Sequence, residues 1–215
     1  MSHRIVQDRV HSPPAAALLN RRLMAVSVVL AAAGLSWPAA GADRIETLVS
    51  TVCQACHMAD GNSVVPTFPK LAGQQPEYLA KQLRDLLDGK RGNEAMAAVL
   101  SQFTRADVPG LAAYYARQQA APGVVKDPGI VEAGRRLYED GNEVTGVPSC
   151  AGCHEDDALG NPRYPRLAGQ HQEYFVQEMQ RFRKGERTNG KFMGAISERL
   201  TDAEIAALAE YLAGL

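Results

Sequence analysis

The chain has 215 residues, with 23 basic and 24 acidic side chains giving a formal net charge of −1. That balance excludes the basic footprint of a nucleic-acid-binding protein. The length left after a leader suits one large domain or two small ones.

Residues 1–42 read as a bacterial secretory signal peptide. Arg4, Arg9, Arg21 and Arg22 make a basic start, Leu23–Leu35 is apolar, and Ala40-Gly41-Ala42 offers a small-residue cleavage site before Asp43. The alternative is an uncleaved anchor, because Leu23–Ala42 approaches the ~20 apolar residues of a membrane span. The remaining 173 residues carry a net charge of −4, unevenly divided: 8 basic and 8 acidic groups in 43–121, 11 and 15 in 122–215.

The first predicted helix shows Ile45, Leu48, Val49 and Val52 at helical spacing and leads into Cys53-Gln-Ala-Cys56-His57. Pro76 and Glu77 open a helix through Leu87. Thr104-Arg-Ala-Asp107 opens another, a capping box with Asp in place of Glu, and Pro109 in its first turns predicts a late start or a bend. Ala120–Pro128 is a Pro/Gly-punctuated linker with a domain boundary near Gly123; Asp127-Pro128 is expected to supply the N-cap and first position of the next helix. That helix carries Ile130, Ala133, Leu137 and Tyr138, and leads to Cys150-Ala-Gly-Cys153-His154. A helix over 173–182 and a full capping box at Thr201-Asp-Ala-Glu204 complete the second half. Every predicted element is helical.

The two Cys-x-x-Cys-His copies lie 97 residues apart and use all four cysteines. The motif is the c-type haem attachment sequence: two thiols add to the haem vinyl groups and the histidine ligates iron. A zinc site wants Cys pairs ~15–20 residues apart, and a thioredoxin-like pair wants a βαβ setting. A disulfide framework is the remaining alternative, and it leaves the two histidines unexplained. Two covalent haem c groups are therefore expected, on Cys53 and Cys56 and on Cys150 and Cys153, with His57 and His154 as proximal ligands. Covalent attachment outside the cytoplasmic membrane agrees with export.

Met96 and Met193 each follow their histidine by 39 residues and are the candidate distal ligands. Met58 adjoins His57 and cannot reach the opposite face; Met179 has Leu83 as its counterpart. The repeat extends further. Phe68-Pro-Lys-Leu-Ala-Gly-Gln74 returns as Tyr164-Pro-Arg-Leu-Ala-Gly-Gln170, and Tyr78 returns as Tyr174. Tyr78, Tyr174, Lys70 and Arg166 are candidates for contact with haem carboxylates, or else surface residues. His171 stands where the first copy has Gln75 and reads as a surface or carboxylate neighbour.

These residues resemble class I cytochrome c modules, and their tandem arrangement resembles the dihaem cytochrome c4 family over essentially the whole chain from 43 to 215. The resemblance implies an all-α fold of two domains, 43–121 and 122–215, each wrapped around one haem. It implies that Pro69 and Pro165 offer their carbonyls to the proximal histidines. It implies a periplasmic electron carrier, free or peripherally associated with the membrane, working between a cytochrome bc complex and a haem–copper terminal oxidase. Two departures stand out: the first unit lacks a counterpart to Gly134–Tyr138, and the second inserts Glu139–Ser149 before its haem motif.

Filled axial positions leave no site for substrate, so electron transfer and not catalysis is expected. A dihaem peroxidase would need one displaceable ligand, which the matched methionines argue against. A cytochrome subunit of a larger dehydrogenase complex would share the same site chemistry.

Overall fold

The structure, a computed structural model, describes residues 40–215. The leader read at 1–42 lies outside the described residues apart from its last three, which begin the first helix. Among the described residues no helix is long and apolar enough to cross a membrane. β structure there is limited to two isolated bridges, Asn142 with Val147 and Asn161 with Tyr164.

Helix α1 (Ala40–Leu48) does not stop before the first Cys-x-x-Cys-His. It widens into a π-helical turn, Val49–Cys53, and continues as α2 (Gln54–His57). The hydroxyls of Ser50 and Thr51 bond back to the carbonyls of Glu46 and Thr47, at 2.8 and 2.7 Å; such back-bonding competes with the regular helical ladder. After α3 (Pro76–Leu87) and the short α4 (Glu94–Ala97), α5 (Val108–Ala116) closes the first unit. It starts late, as Pro109 predicts. Asp107, just before it, accepts from the Thr104 backbone N–H and hydroxyl, at 2.8 and 2.9 Å, and from Arg44 of α1.

The second unit comprises α6 (Val131–Asp140), α7 (Ala151–His154), α8 (Gln172–Arg183), α9 (Met193–Ser197) and α10 (Asp202–Ala213). Its α10 carries the complete Thr201/Glu204 capping box. The expected cap at Asp127-Pro128 is not used. Asp127 instead accepts from the Gly129 N–H at 2.9 Å in a tight turn, and the helix begins three residues later at Val131.

Two hydrophobic cores result. Leu48, Val49, Leu79, Val108, Leu111 and Tyr115 belong to one, and Leu137, Tyr138, Met179, Ile205, Leu208 and Leu212 to the other. Each draws its residues from one half of the chain.

In both units the first and last helices cross at close range, and a glycine makes room. A Cβ on Gly110 of α5 would lie 2.6 Å from Ile45 Cδ1, and one on Gly134 of α6 would lie 2.0 Å from the Ala207 carbonyl oxygen. Gly110 and Ala207 are equivalent in the repeat, so Ile45 occupies the place of Gly134. The first unit therefore does possess a counterpart to Gly134–Tyr138. The 139–149 insertion hides it, because it offsets the opening helices relative to the haem motifs.

The linker is pinned to both units. Lys70 Nζ donates to the carbonyls of Ala121 and Pro122, at 3.2 and 3.1 Å, and Gln172 Nε2 donates to the Val124 carbonyl at 2.7 Å. Gly123 packs so closely on the end of α10 that a Cβ there would meet the Ala213 oxygen at 2.3 Å.

Candidate haem sites

The two histidines after the Cys pairs are presented in the same way. Each ends its short helix and is followed by a non-glycine residue in the left-handed region, Met58 (φ 62°) or Glu155 (φ 67°). This turn lets the histidine carbonyl accept from Ser63 N in the first unit, at 3.1 Å, and from Gly160 N in the second, at 3.0 Å. The following loop is fastened by Leu71 and Ala72 donating to the Gly61 carbonyl, matched by Leu167 and Ala168 on Ala158. That fastening delivers the Pro69 carbonyl to His57 Nδ1 at 2.9 Å, and the Pro165 carbonyl to His154 Nδ1 at 3.0 Å.

A carbonyl can only accept, so Nδ1 carries the proton in both rings and Nε2 keeps its lone pair for a metal. Burial lowers the pKa of each imidazole, while the proline carbonyl partly opposes it. The rings are thus held neutral, as ligation requires. Phe68 packs edge-on against His57, with Tyr164 correspondingly beside His154.

Cys53, Cys56, His57 and Met96 line one cavity of about 470 Å³, together with the buried apolar residues Leu79 and Phe103. Asn93 caps α4 by accepting from the Met96 N–H at 2.9 Å, which fixes the backbone of the distal candidate. In the second unit, Cys150 and Met193 pack against the same core. No two of the four cysteines are joined in a disulfide.

These residues fit a haem. Arg91, also in the wall of the cavity, is buried, and its Nε has no hydrogen-bond partner. A buried guanidinium N–H left without an acceptor is costly, and a haem carboxylate is the kind of group that would satisfy it.

Sequence reasoning gave Gln74, Gln170, Arg91 and Arg187 no role, and placed Tyr78, Tyr174, Arg166 and His171 at the surface or beside a haem carboxylate. Gln74 and Gln170 each bond the backbone of the opposite unit. His171 is neither free surface nor a ligand candidate: its Nε2 bonds the Ser63 carbonyl of the other unit at 2.7 Å, while its repeat equivalent Gln75 bonds the Leu159 carbonyl. Arg91 donates to Tyr174 Oη at 3.0 Å, and Arg187 donates to Tyr78 Oη at 2.9 Å. The tyrosines therefore engage arginines of the opposite unit, and the Arg166 guanidinium turns to the Ala168 carbonyl. The available signal was the constant offset of 96, which relates Tyr78, Gln82 and Arg91 to Tyr174, Glu178 and Arg187.

The cytochrome c family model matches residues 42–119 and 131–215. Cytochrome c4 of Pseudomonas aeruginosa is 39% identical over 202 residues, covering 92% of this chain and all of the relative. The crystal structure of reduced recombinant cytochrome c4 from Pseudomonas stutzeri superimposes with a TM-score of 0.75 at 34% identity, covering 81% of this chain and 98% of that one. A thiosulfate dehydrogenase electron acceptor of Thiomonas intermedia is 33% identical, covering 91% of this chain and 88% of the relative. Two tandem, helical cytochrome c domains that bind covalent haem c and transfer electrons without being an enzyme place this chain in the dihaem cytochrome c4 family.

Proposed function

We propose that the chain is exported to the periplasm and works there as a soluble or peripherally membrane-associated electron carrier built of domains 43–121 and 122–215. Cys53 and Cys56 would anchor the first haem, with His57 and Met96 holding its iron. Cys150 and Cys153 would anchor the second, with His154 and Met193. The observation that carries this reading is the shared cavity of Cys53, Cys56, His57 and Met96, together with the repeat that supplies the same residues again.

Haem c held by His and Met supplies a one-electron change at an iron with no open coordination position. The chain's own residues make that change reversible. Pro69 and Pro165 hold the proximal rings in one tautomer and orientation. The buried side chains of Leu79, Phe103 and Leu111 exclude water from the first site.

The donor in this reading is a cytochrome bc complex and the acceptor a haem–copper terminal oxidase. A second reading, acceptance of electrons from a thiosulfate-oxidising enzyme, is favoured by the Thiomonas relative, whose name records that role. One experiment separates them. The purified holoprotein, oxidised, is offered to a cytochrome bc complex with quinol and to a thiosulfate dehydrogenase with thiosulfate, and reduction is followed by the haem absorbance. Rapid reduction by the first supports the carrier between respiratory complexes; rapid reduction by the second alone supports the other. An N-terminus at Asp43 in the protein recovered from cells tests export, and a mass two haems above the polypeptide tests the cofactor load.

A further inference from the structure

The interface network is symmetric in geometry and asymmetric in charge. Arg91 Nη1 donates to Gln82 Oε1 of its own unit at 2.9 Å, and Arg91 Nη2 to Glu178 Oε2 of the other at 3.2 Å. Arg187 repeats this: Nη1 bonds Glu178 of its own unit, and Nη2 donates to Gln82 of the other at 3.3 Å. Each arginine also bonds the tyrosine of the opposite unit. Positions 82 and 178 are equivalent, yet one is a neutral amide and the other a carboxylate.

Glu178 is 6% exposed and faces three guanidinium groups: Arg91, Arg187 and, at 3.6 Å, Arg181. Asp85, the next carboxylate in the network, is taken up by Lys81 and Asn189. Although Glu178 belongs to the second unit, it lines the cavity that holds His57 and Met96. Its charge therefore stands in the wall of the first site, and its burial leaves it little screened by water.

We propose that Glu178 sets the reduction potential of the first unit's haem from across the domain interface, as a buried carboxylate whose mirror position in the pseudo-twofold network is the neutral Gln82. The proposal rests on a haem in the cavity of His57 and Met96. Oxidation leaves one more positive charge at the iron, and a nearby buried carboxylate stabilises that state. Removing the carboxylate raises the potential. Adding one at the mirror position lowers it. Glu178 is thus a positioning and tuning residue, not a ligand.

The test is a redox titration of holoprotein carrying Glu178→Gln, Gln82→Glu, or both. The wild-type midpoints are assigned once with Met96→His and Met193→His, and each variant is first checked for two covalent haems by mass. In Glu178→Gln the first haem's midpoint should rise, and by more than the second's. In Gln82→Glu at least one midpoint should fall. The double variant keeps the network's charge, so its urea unfolding midpoint should stay near wild type while the larger shift moves from one haem to the other. Should Glu178→Gln fail to fold, because three guanidinium groups lose their carboxylate, Gln82→Glu and the double variant decide. Midpoints that stay put in the folded variants, or a first haem that falls in Glu178→Gln, overturn the proposal. A wild-type protein lacking the first haem would instead overturn the reading of the site itself.

Discussion

Gln74 and Gln170 each reach across the domain boundary to pair a carboxamide with the backbone of the opposite unit. Gln74 Nε2 donates to the Arg166 carbonyl at 2.9 Å, and its Oε1 accepts from the Arg166 N–H at 2.7 Å. Gln170 makes the same pair with Lys70, at 3.0 and 2.9 Å. Both backbone partners directly follow the prolines whose carbonyls accept from His57 and His154. The joint between the units is therefore also a brace for these two imidazole rings.

Truncating either carboxamide strands a backbone N–H and a carbonyl that are partly buried, a loss of about 1–3 kcal/mol. Gln74→Ala and Gln170→Ala should each lower the urea unfolding midpoint by a corresponding amount. Following the haem absorbance and the helical circular dichroism together, we expect their transitions to separate in the double variant. Coincident transitions at the wild-type midpoint would show that the braces contribute nothing.

Methionine replacement should act locally. Met96→Ala should open only the first haem and Met193→Ala only the second, so each variant should bind one carbon monoxide per chain in the reduced state while wild type binds none near neutral pH. Two bound per chain in a single variant would mean that the sites are not independent.

Asp107 offers a pH test. Hydrogen bonding from Arg44, then from the Thr104 backbone and hydroxyl, holds its carboxyl well below the usual carboxylate range, although burial opposes this. A folded-state pKa that is depressed contributes stability that is complete above the unfolded value of ~3.9 and drains away as the pH falls towards the folded value. Asp107→Asn should thus cost about 1–2 kcal/mol at pH 7, in the range of a lost helix-start interaction. That deficit should narrow steadily below pH ~4. A cost independent of pH would show that Asp107 acts through shape alone.

How much of this was legible in the chain divides by the kind of signal. The Cys pairs and the histidines after them sit in a fixed short motif, Met96 and Met193 are marked by their matched 39-residue spacing, and the helices around them follow apolar spacing and capping residues. The start of α6 was misplaced because Asp127-Pro128 suits a helix start and a turn equally well; packing of Val131 and Leu137 against the second core decided for the turn. The interface was illegible for a different reason. Arg91, Gln82 and Glu178 look like surface residues of amphipathic helices until a second copy of the same helices is laid against them. Only their constant offset marks them, and an offset says that two residues are equivalent, not that they meet.

The helix crossings give the last prediction, because the two glycines fail for different reasons when given a side chain. Alanine in a helix interior is intrinsically favoured over glycine by ~1 kcal/mol, so any net loss measures the clash. At Gly110 the obstacle is the tip of a side chain, Ile45 Cδ1 and Cγ1 at 2.6 Å, whereas at Gly134 it is backbone, the Ala207 carbonyl at 2.0 Å. Gly110→Ala alone should destabilise by about 1–3 kcal/mol through overpacking. In an Ile45→Ala background the same substitution should become neutral or stabilising, since Ile45 Cβ would stand 3.9 Å away. Gly134→Ala has no such remedy, because no side-chain truncation moves a carbonyl oxygen. It should cost more than Gly110→Ala and shift α6 relative to α10. Thermal unfolding of the four variants reads this directly; equal losses at the two glycines, or a Gly110→Ala penalty that survives Ile45→Ala, would mean that the helices do not cross at these residues.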